Sequence, residues 1–208
     1  MASKLTIRAD VVDAKKRVIR ANEAFLVDTN VWFWMCYEAA PDAPGVSKPW
    51  QSREYPAVLD RVLKAGGRLV WSPFSWSELG HIIERTEWKI ALACGATQAE
   101  TAKQFRYESA DERERVVNAI QHTWLQVTSL AEPMPGIELN AITVDAANQE
   151  LSSVMLDGYD LFMAQQLRTS GLTGIITDDA DFVTFSGITV FTANSRTLSE
   201  ARAQDKLR

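Results

Sequence analysis

Cysteine and histidine are both scarce. The 208 residues hold two of each, Cys36 and Cys94, His81 and His122. Two cysteines are too few for a disulfide framework in a chain of this length, and no CxxC pair occurs, so a reducing, cytoplasmic setting is expected. Neither histidine has a cysteine at ligand spacing, which excludes a structural zinc site. No apolar run approaches the roughly 20 residues that span a bilayer. The opening residues Met1 to Arg8 lack the apolar stretch of a signal peptide. Neither GxSxG nor GxxxxGK[ST] is present, so neither a nucleophile elbow nor a phosphate-cradling loop is expected. Internal repeats and low-complexity tracts are absent as well.

Hydrophobic residues make up 46% of the chain and tryptophan occurs seven times. One compact domain with additions can bury a sizeable core at this length, with the indoles as large apolar anchors. The formal net charge is −5. Taken alone, that opposes nonspecific binding of nucleic acid. Five of the acids, Asp28, Glu78, Asp160, Asp179 and Asp181, are candidate metal ligands, however, and without them the formal charge is zero. A bound divalent cation would offset them where a polyanion docks.

Short apolar runs alternate with helical patterns. Val11 to Asn22 is expected as an amphipathic helix, with Val11, Val12, Val18 and Ile19 on one side and Lys15, Lys16, Arg17 and Arg20 on the other. Phe25-Leu26-Val27 is a strand ending at Asp28-Thr29-Asn30, followed by a Trp-rich helix to about Tyr37. Ala40 to Gln51, with three prolines and a glycine, is a loop. Tyr55 to Ala65 is a helix with Pro56 early and Gly66-Gly67 at its end. Arg68 to Trp71 is a strand. Ser72 caps a helix that has Pro73 in its first turn and runs to about Arg85. Residues 88–124 form a charge-dense helical insertion broken near Gly95 and Ser109. Glu132 to Gly136 is a loop and Val144 to Val154 a helix. Asp157-Gly158 opens a helix through Ser170, closed by Gly171. Gly174 to Thr177 and Thr189 to Phe191 are strands, and the last residues form a short frayed helix. This alternation, without a tight hairpin signal, indicates an α/β sandwich around a largely parallel sheet. It divides the chain into an N-terminal helical extension (1–24), a central domain (25–194) and a C-terminal helical tail (195–208).

The acids carry the chemistry. In open parallel sheets, sites form beyond the carboxyl ends of strands. Asp28 follows one strand directly, and Asp178 and Asp179 follow another. Any one of them also suits a turn or a helix N-cap. Glu78 lies four residues from both Phe74 and Ile82, beside apolar neighbours on its helix. Asp160 falls on the stripe Leu156, Asp160, Ala164, Leu167. A carboxylate in such a place needs a cation, a hydrogen-bond network or an upward pKa shift. Asp160 also suits the first turn of a helix capped by Asp157, and Glu78 could pair with Arg85 or Arg168. Taken together, carboxylates converging on one place call for a hard divalent ion, Mg²⁺ or Mn²⁺ rather than Zn²⁺. Such a site activates water and stabilises phosphate oxygens.

Four segments resemble the PIN-domain family, and within it the VapC-like toxins of bacterial toxin–antitoxin pairs. They are Phe25-Leu26-Val27-Asp28-Thr29-Asn30-Val31, Ser77-Glu78-Leu79, Asp160-Leu161-Phe162-Met163-Ala164 and Ile176-Thr177-Asp178-Asp179-Ala180-Asp181-Phe182. The resemblance spans about residues 25–194. It implies a three-layer, Rossmann-like α/β/α sandwich with acids gathered at one sheet edge. It also implies a metal-dependent endoribonuclease that leaves a 5′-phosphate and a 3′-hydroxyl. Asp28, Glu78, Asp160 and Asp179 match the catalytic quartet, and Asp181 matches a frequent fifth acid. Asn30 and Thr177 match the polar residues that orient these carboxylates. Three departures stand out: 27 residues precede the first acid, residues 40–55 and 88–124 lengthen the chain, and Asp178 is acidic where relatives are often basic or amide. The resemblance further implies RNA as substrate, an antitoxin as partner and a homodimer.

Among the remaining residues, Trp32 and Trp34 could stack on bases or anchor a core or interface, and Trp71 and Trp76 are expected in the core. His81 suits a structural role or substrate contact. Arg85, Lys89 and Arg168 suit phosphate contact or ion pairs. Two other functions compete with the nuclease: a catalytically silent module that binds RNA or protein, and a Mg²⁺-dependent phosphohydrolase using Asp28 as nucleophile. The second lacks an obvious lysine at the active edge.

Overall fold

A computed structural model describes residues 5–43, 49–108, 110–135 and 139–208. Among these residues, six strands form one sheet in the order β1-β6-β5-β2-β3-β4, and every neighbouring pair is parallel. They are β1 (Asp10–Asp13), β2 (Ala24–Val27), β3 (Arg68–Trp71), β4 (Glu132–Pro133), β5 (Gly174–Ile176) and β6 (Thr189–Thr192). The helices are α1 (Thr29–Cys36), α2 (Gln51–Lys64), α3 (Pro73–Ala93), α4 (Ala102–Glu108), α5 (Ala110–Leu130), α6 (Ala141–Leu151), α7 (Gly158–Ser170) and α8 (Ser195–Ala203).

Successive side chains of a strand face opposite ways, and the two cores follow that rule. Phe25, Val27, Leu69, Ile176 and Phe191 pack on one face with α1, α2 and the apolar side of α3. Leu26, Val70, Ile175 and Val190 pack on the other with α7 and α8. Both faces of the central strands are therefore buried, as a parallel sheet requires, and the architecture is an α/β/α sandwich. Gly174 is demanded by this packing. A Cβ there would sit 2.4 Å from the Thr189 carbonyl oxygen and 2.6 Å from the Phe191 ring.

Several elements differ from expectation. The helix expected over Val11–Asn22 is instead β1 and a turn. Val11 and Val12 are both buried, on opposite sheet faces, because β1 pairs with β6 from the far end of the chain. The C-terminus is not frayed. After α8, Arg208 donates its amide to the Val11 carbonyl at 2.8 Å and pairs with Asp10. The loop expected at Glu132 begins as edge strand β4 against β3, and Gly136 lies outside the described residues. Helix α2 starts at Gln51, so Pro56 sits inside it rather than in its first turn. Helix α3 continues past Arg85 to Ala93, and Gly95 follows its end with φ +71°. Residues 44–48 of the expected loop and Ser109, the expected break in the 88–124 segment, lie outside the described residues. Trp32 is fully buried, whereas Trp76 is 56% exposed and no part of the core. Among the described residues no helix is long and apolar enough to cross a membrane.

Candidate metal centre

The sheet order reverses around β2. Its sequence successor β3 lies on one side and β5 on the other, with Val27 level with Ile176. Crevices beyond the strand ends at such a switch point are where α/β sheets place ligands. Asp28 leaves β2 there as N-cap of α1, in extended conformation, with Oδ1 accepting the Thr29 amide at 2.6 Å. Its Oδ2 accepts from the Thr177 hydroxyl at 2.5 Å. The Thr177 hydroxyl oxygen in turn accepts the Asp179 amide at 2.8 Å, and Asp179 Oδ1 accepts the Asp181 amide at 2.8 Å. One buried hydroxyl thus joins the ends of the two central strands and fixes the turn that presents Asp179.

Glu78 arrives from α3, and the Thr29 hydroxyl donates to its Oε2 at 2.5 Å. Helix α7 delivers two more acids. Asp157 caps it, with Oδ1 accepting the Tyr159 and Asp160 amides at 3.0 and 3.1 Å. Asp160 sits in the first turn. Glu78, Asp157 and Asp160 each offer a carboxylate oxygen within 4.8 Å of the others. Asp28, Glu78, Asp157, Asp160 and Asp179, with Tyr159 and His81, line a crevice of about 330 Å³.

Among the described residues, none of those five acids has a salt-bridge partner. The alternative for Glu78, an ion pair with Arg85 or Arg168, does not form among the described residues; Arg168 binds Glu150 at 2.7 Å. The electrostatic consequence is large. Burial, then the neighbouring charges of Asp28, Glu78, Asp157 and Asp179, push the Asp160 carboxyl from 3.8 to about 9. Burial first, then Asp179 and Glu78, push Asp28 up to about 7 against the opposing hydrogen bonds from Thr177 and Thr29. Glu78 is raised too, by burial and then by Asp157 and Asp179, and the Thr29 hydroxyl opposes the shift. The donor set is all oxygen, crowded and without counter-charge. That fits a hard divalent cation.

Asp28, Glu78, Asp160 and Asp179 are therefore brought together. Asp181 is half-buried on the short 3₁₀ turn Asp181–Thr184, beside the crevice but outside its wall. Burial, then Asp179 and Asp157, raise its carboxyl. Asp178 turns away and accepts from Tyr55 at 2.9 Å, Gln51 at 3.1 Å and Asn194 at 3.5 Å. Asn30 reaches this turn through its side-chain oxygen, which accepts the Asp178 amide at 3.3 Å. In the sequence Asp157 reads only as a cap, yet both capping bonds go to Oδ1 and the residue also lines the crevice. The spacing Asp157-x-x-Asp160 at a helix start is the signal that could have found it.

No protein-family model matches the chain, and neither does any curated protein sequence. Among solved structures the chain is similar to one in the VapBC2 assembly of Rickettsia felis bound to a DNA fragment from its promoter. The two are 13% identical with a TM-score of 0.47, over 81% of this chain and 98% of that one.

Proposed function

We propose that the protein is a metal-dependent endoribonuclease of PIN type. The observation that carries this reading is the convergence of Asp28, Glu78, Asp157, Asp160 and Asp179 on one crevice at the sheet's switch point, with no ion-pair partner among the described residues. Glu78, Asp157 and Asp160 would hold Mg²⁺ or Mn²⁺, with Asp28 and Asp179 completing the acidic wall. A bound divalent ion supplies Lewis acidity for water and for phosphate oxygens in an in-line displacement. Asp28 is held by Thr29 and Thr177, so its carboxylate needs no reorganisation to accept a proton or an ion. Asp179 is fixed through its own amide and side chain. Asp181 supports the turn rather than the crevice wall, and Asp178 anchors that turn to α2 and the cap of α8.

The products would be a 5′-phosphate and a 3′-hydroxyl. A toxin role, with a small antitoxin inserting near the acids, follows from the resemblance in the four sequence segments, as does a homodimer, and the scarcity of cysteine supports a cytoplasmic setting. The test is calorimetric titration with Mn²⁺ beside an RNA cleavage assay, on the wild type and on Asp28→Asn and Asp160→Asn. Mn²⁺ binding and metal-dependent cleavage are expected in the wild type, with cleavage lost in both variants. Undiminished cleavage in both, or no Mn²⁺ binding by the wild type, refutes the assignment.

A further inference from the structure

Beside the acidic crevice lies a second concavity of about 310 Å³, between α3 and the α4–α5 pair. Helix α3 supplies one wall of each. His81 lines both, so the two cavities share a boundary. Three features distinguish this groove. Trp76 stands in its wall with more than half of its surface exposed, two residues before Glu78 on the same helix. The opposite side, from α5, is apolar through Val117 and Ile120. The groove is also cationic. Glu84, 7% exposed, is gripped by the guanidinium of Arg106, with Arg113 at 3.3 Å. That contact with Arg106 holds the Glu84 carboxyl below its usual range. One buried carboxylate thus anchors two guanidinium groups that stay 37% and 44% exposed, leaving one positive charge in excess.

We propose that this groove is a subsite for one unpaired nucleotide of an RNA substrate, its base stacked on Trp76 and its phosphate met by Arg113, next to the position of cleavage. The inference rests on the ribonuclease reading and names how that enzyme would hold its substrate. A nucleotide joins a flat apolar face to an anion, and the groove pairs an exposed aromatic face with anchored donors. Base–aromatic stacking tolerates any base, because every base has a π-face. A duplex keeps its base faces stacked inward and cannot use Trp76. An acidic crevice gives a polyanion no cationic purchase of its own, whereas the groove provides it on the other side of the shared His81, around Glu84, six residues after Glu78 on α3. Gly80 keeps the floor open: a Cβ there would meet only the Ile120 side chain, at 4.0 Å.

The test uses the full chain in an Asp28→Asn background and measures binding of fluorescently labelled single-stranded and duplex RNA by anisotropy. Trp76→Ala should weaken single-stranded binding about 5- to 100-fold, Trp76→Phe should restore most of it, and duplex binding should not change. Gly80→Leu, which fills the floor and favours helix, should reproduce the loss without touching an aromatic or a charge. Unchanged single-stranded affinity in Trp76→Ala and Gly80→Leu overturns the subsite and leaves the groove to an apolar side chain of a protein partner. If the wild type still cuts RNA in that case, the ribonuclease reading stands without it. If the wild type neither binds nor cuts RNA, both fall.

Discussion

Asp160→Asn should make the metal-free protein more stable while removing its response to metal. The Asp160 carboxylate has no hydrogen-bond donor among the described residues, and burial and four acidic neighbours lift it from 3.8 to about 9. At pH 7.5 the folded state must therefore keep a proton that the unfolded chain has released. Across that interval the penalty reaches a ceiling of about 5 kcal/mol, at about 1.4 kcal/mol per pH unit. An amide of the same shape carries no charge but still loses water on burial, which recovers part of that figure, about 1–3 kcal/mol. For a chain of this size each kcal/mol moves Tm by about 2–4 °C. Thermal unfolding in EDTA at pH 7.5 should thus show Asp160→Asn melting several degrees above wild type. Added Mn²⁺ should raise the wild-type Tm through preferential binding to the folded state and leave the variant unmoved. A variant that melts lower than wild type in EDTA, or that keeps the full Mn²⁺ shift, refutes the reasoning that this carboxylate is a charge tolerated for the sake of an ion.

The pH dependence should have the same origin. Asp28 and Asp160 have folded values raised above 3.8, to about 7 and about 9, so their contribution to stability is full below about pH 4 and is lost as pH rises through 7 to 9. The wild type minus the Asp28→Asn, Asp160→Asn double variant, measured by urea unfolding in EDTA, should show that decline, and Mg²⁺ should flatten it; a difference that is flat in EDTA contradicts the shifts. Thr177→Val keeps the side chain's shape but removes the hydroxyl shared by Asp28 and the Asp179 amide. The acidic limb of the cleavage profile should move to higher pH, because the bond that lowers the Asp28 value is gone, and an unmoved limb would show that Thr177 has no hold on that carboxylate. Gly174→Ala should cost several kcal/mol, since the new methyl meets a strand carbonyl at 2.4 Å in a sheet with little room to yield; a urea midpoint within error of wild type would show that β5 and β6 separate easily.

Local chemistry writes much of this fold into the sequence. Helix α7 is legible at both ends because Asp157 offers a side-chain acceptor and Gly171 takes φ +72° without cost. Strands β2, β3 and β5 are legible as short apolar runs that end on polar residues, and that pattern alone puts Asp28 and Asp179 beyond strand ends. Strand β1 is not legible. Four residues cannot reveal a period, and the strand exists because β6 and the returning C-terminus supply its hydrogen bonds from more than 175 residues away. The edge strand β4, two residues long, is hidden for the same reason.

Within the site, the sequence determined which acids were available, and the tertiary structure decided which of them meet. Asp178 and Asp179 are neighbours in the chain, yet one faces Tyr55 and Asn194 while the other faces the crevice. Asp157 joins Glu78 only because α7 and α3 converge at one end of the sheet. Trp76 stays exposed only because the packed side of α3 is the one that carries Leu79 and Ile83. Composition and periodicity are properties of a segment. The direction of a side chain at a crevice is set by packing between segments, which only the folded chain provides.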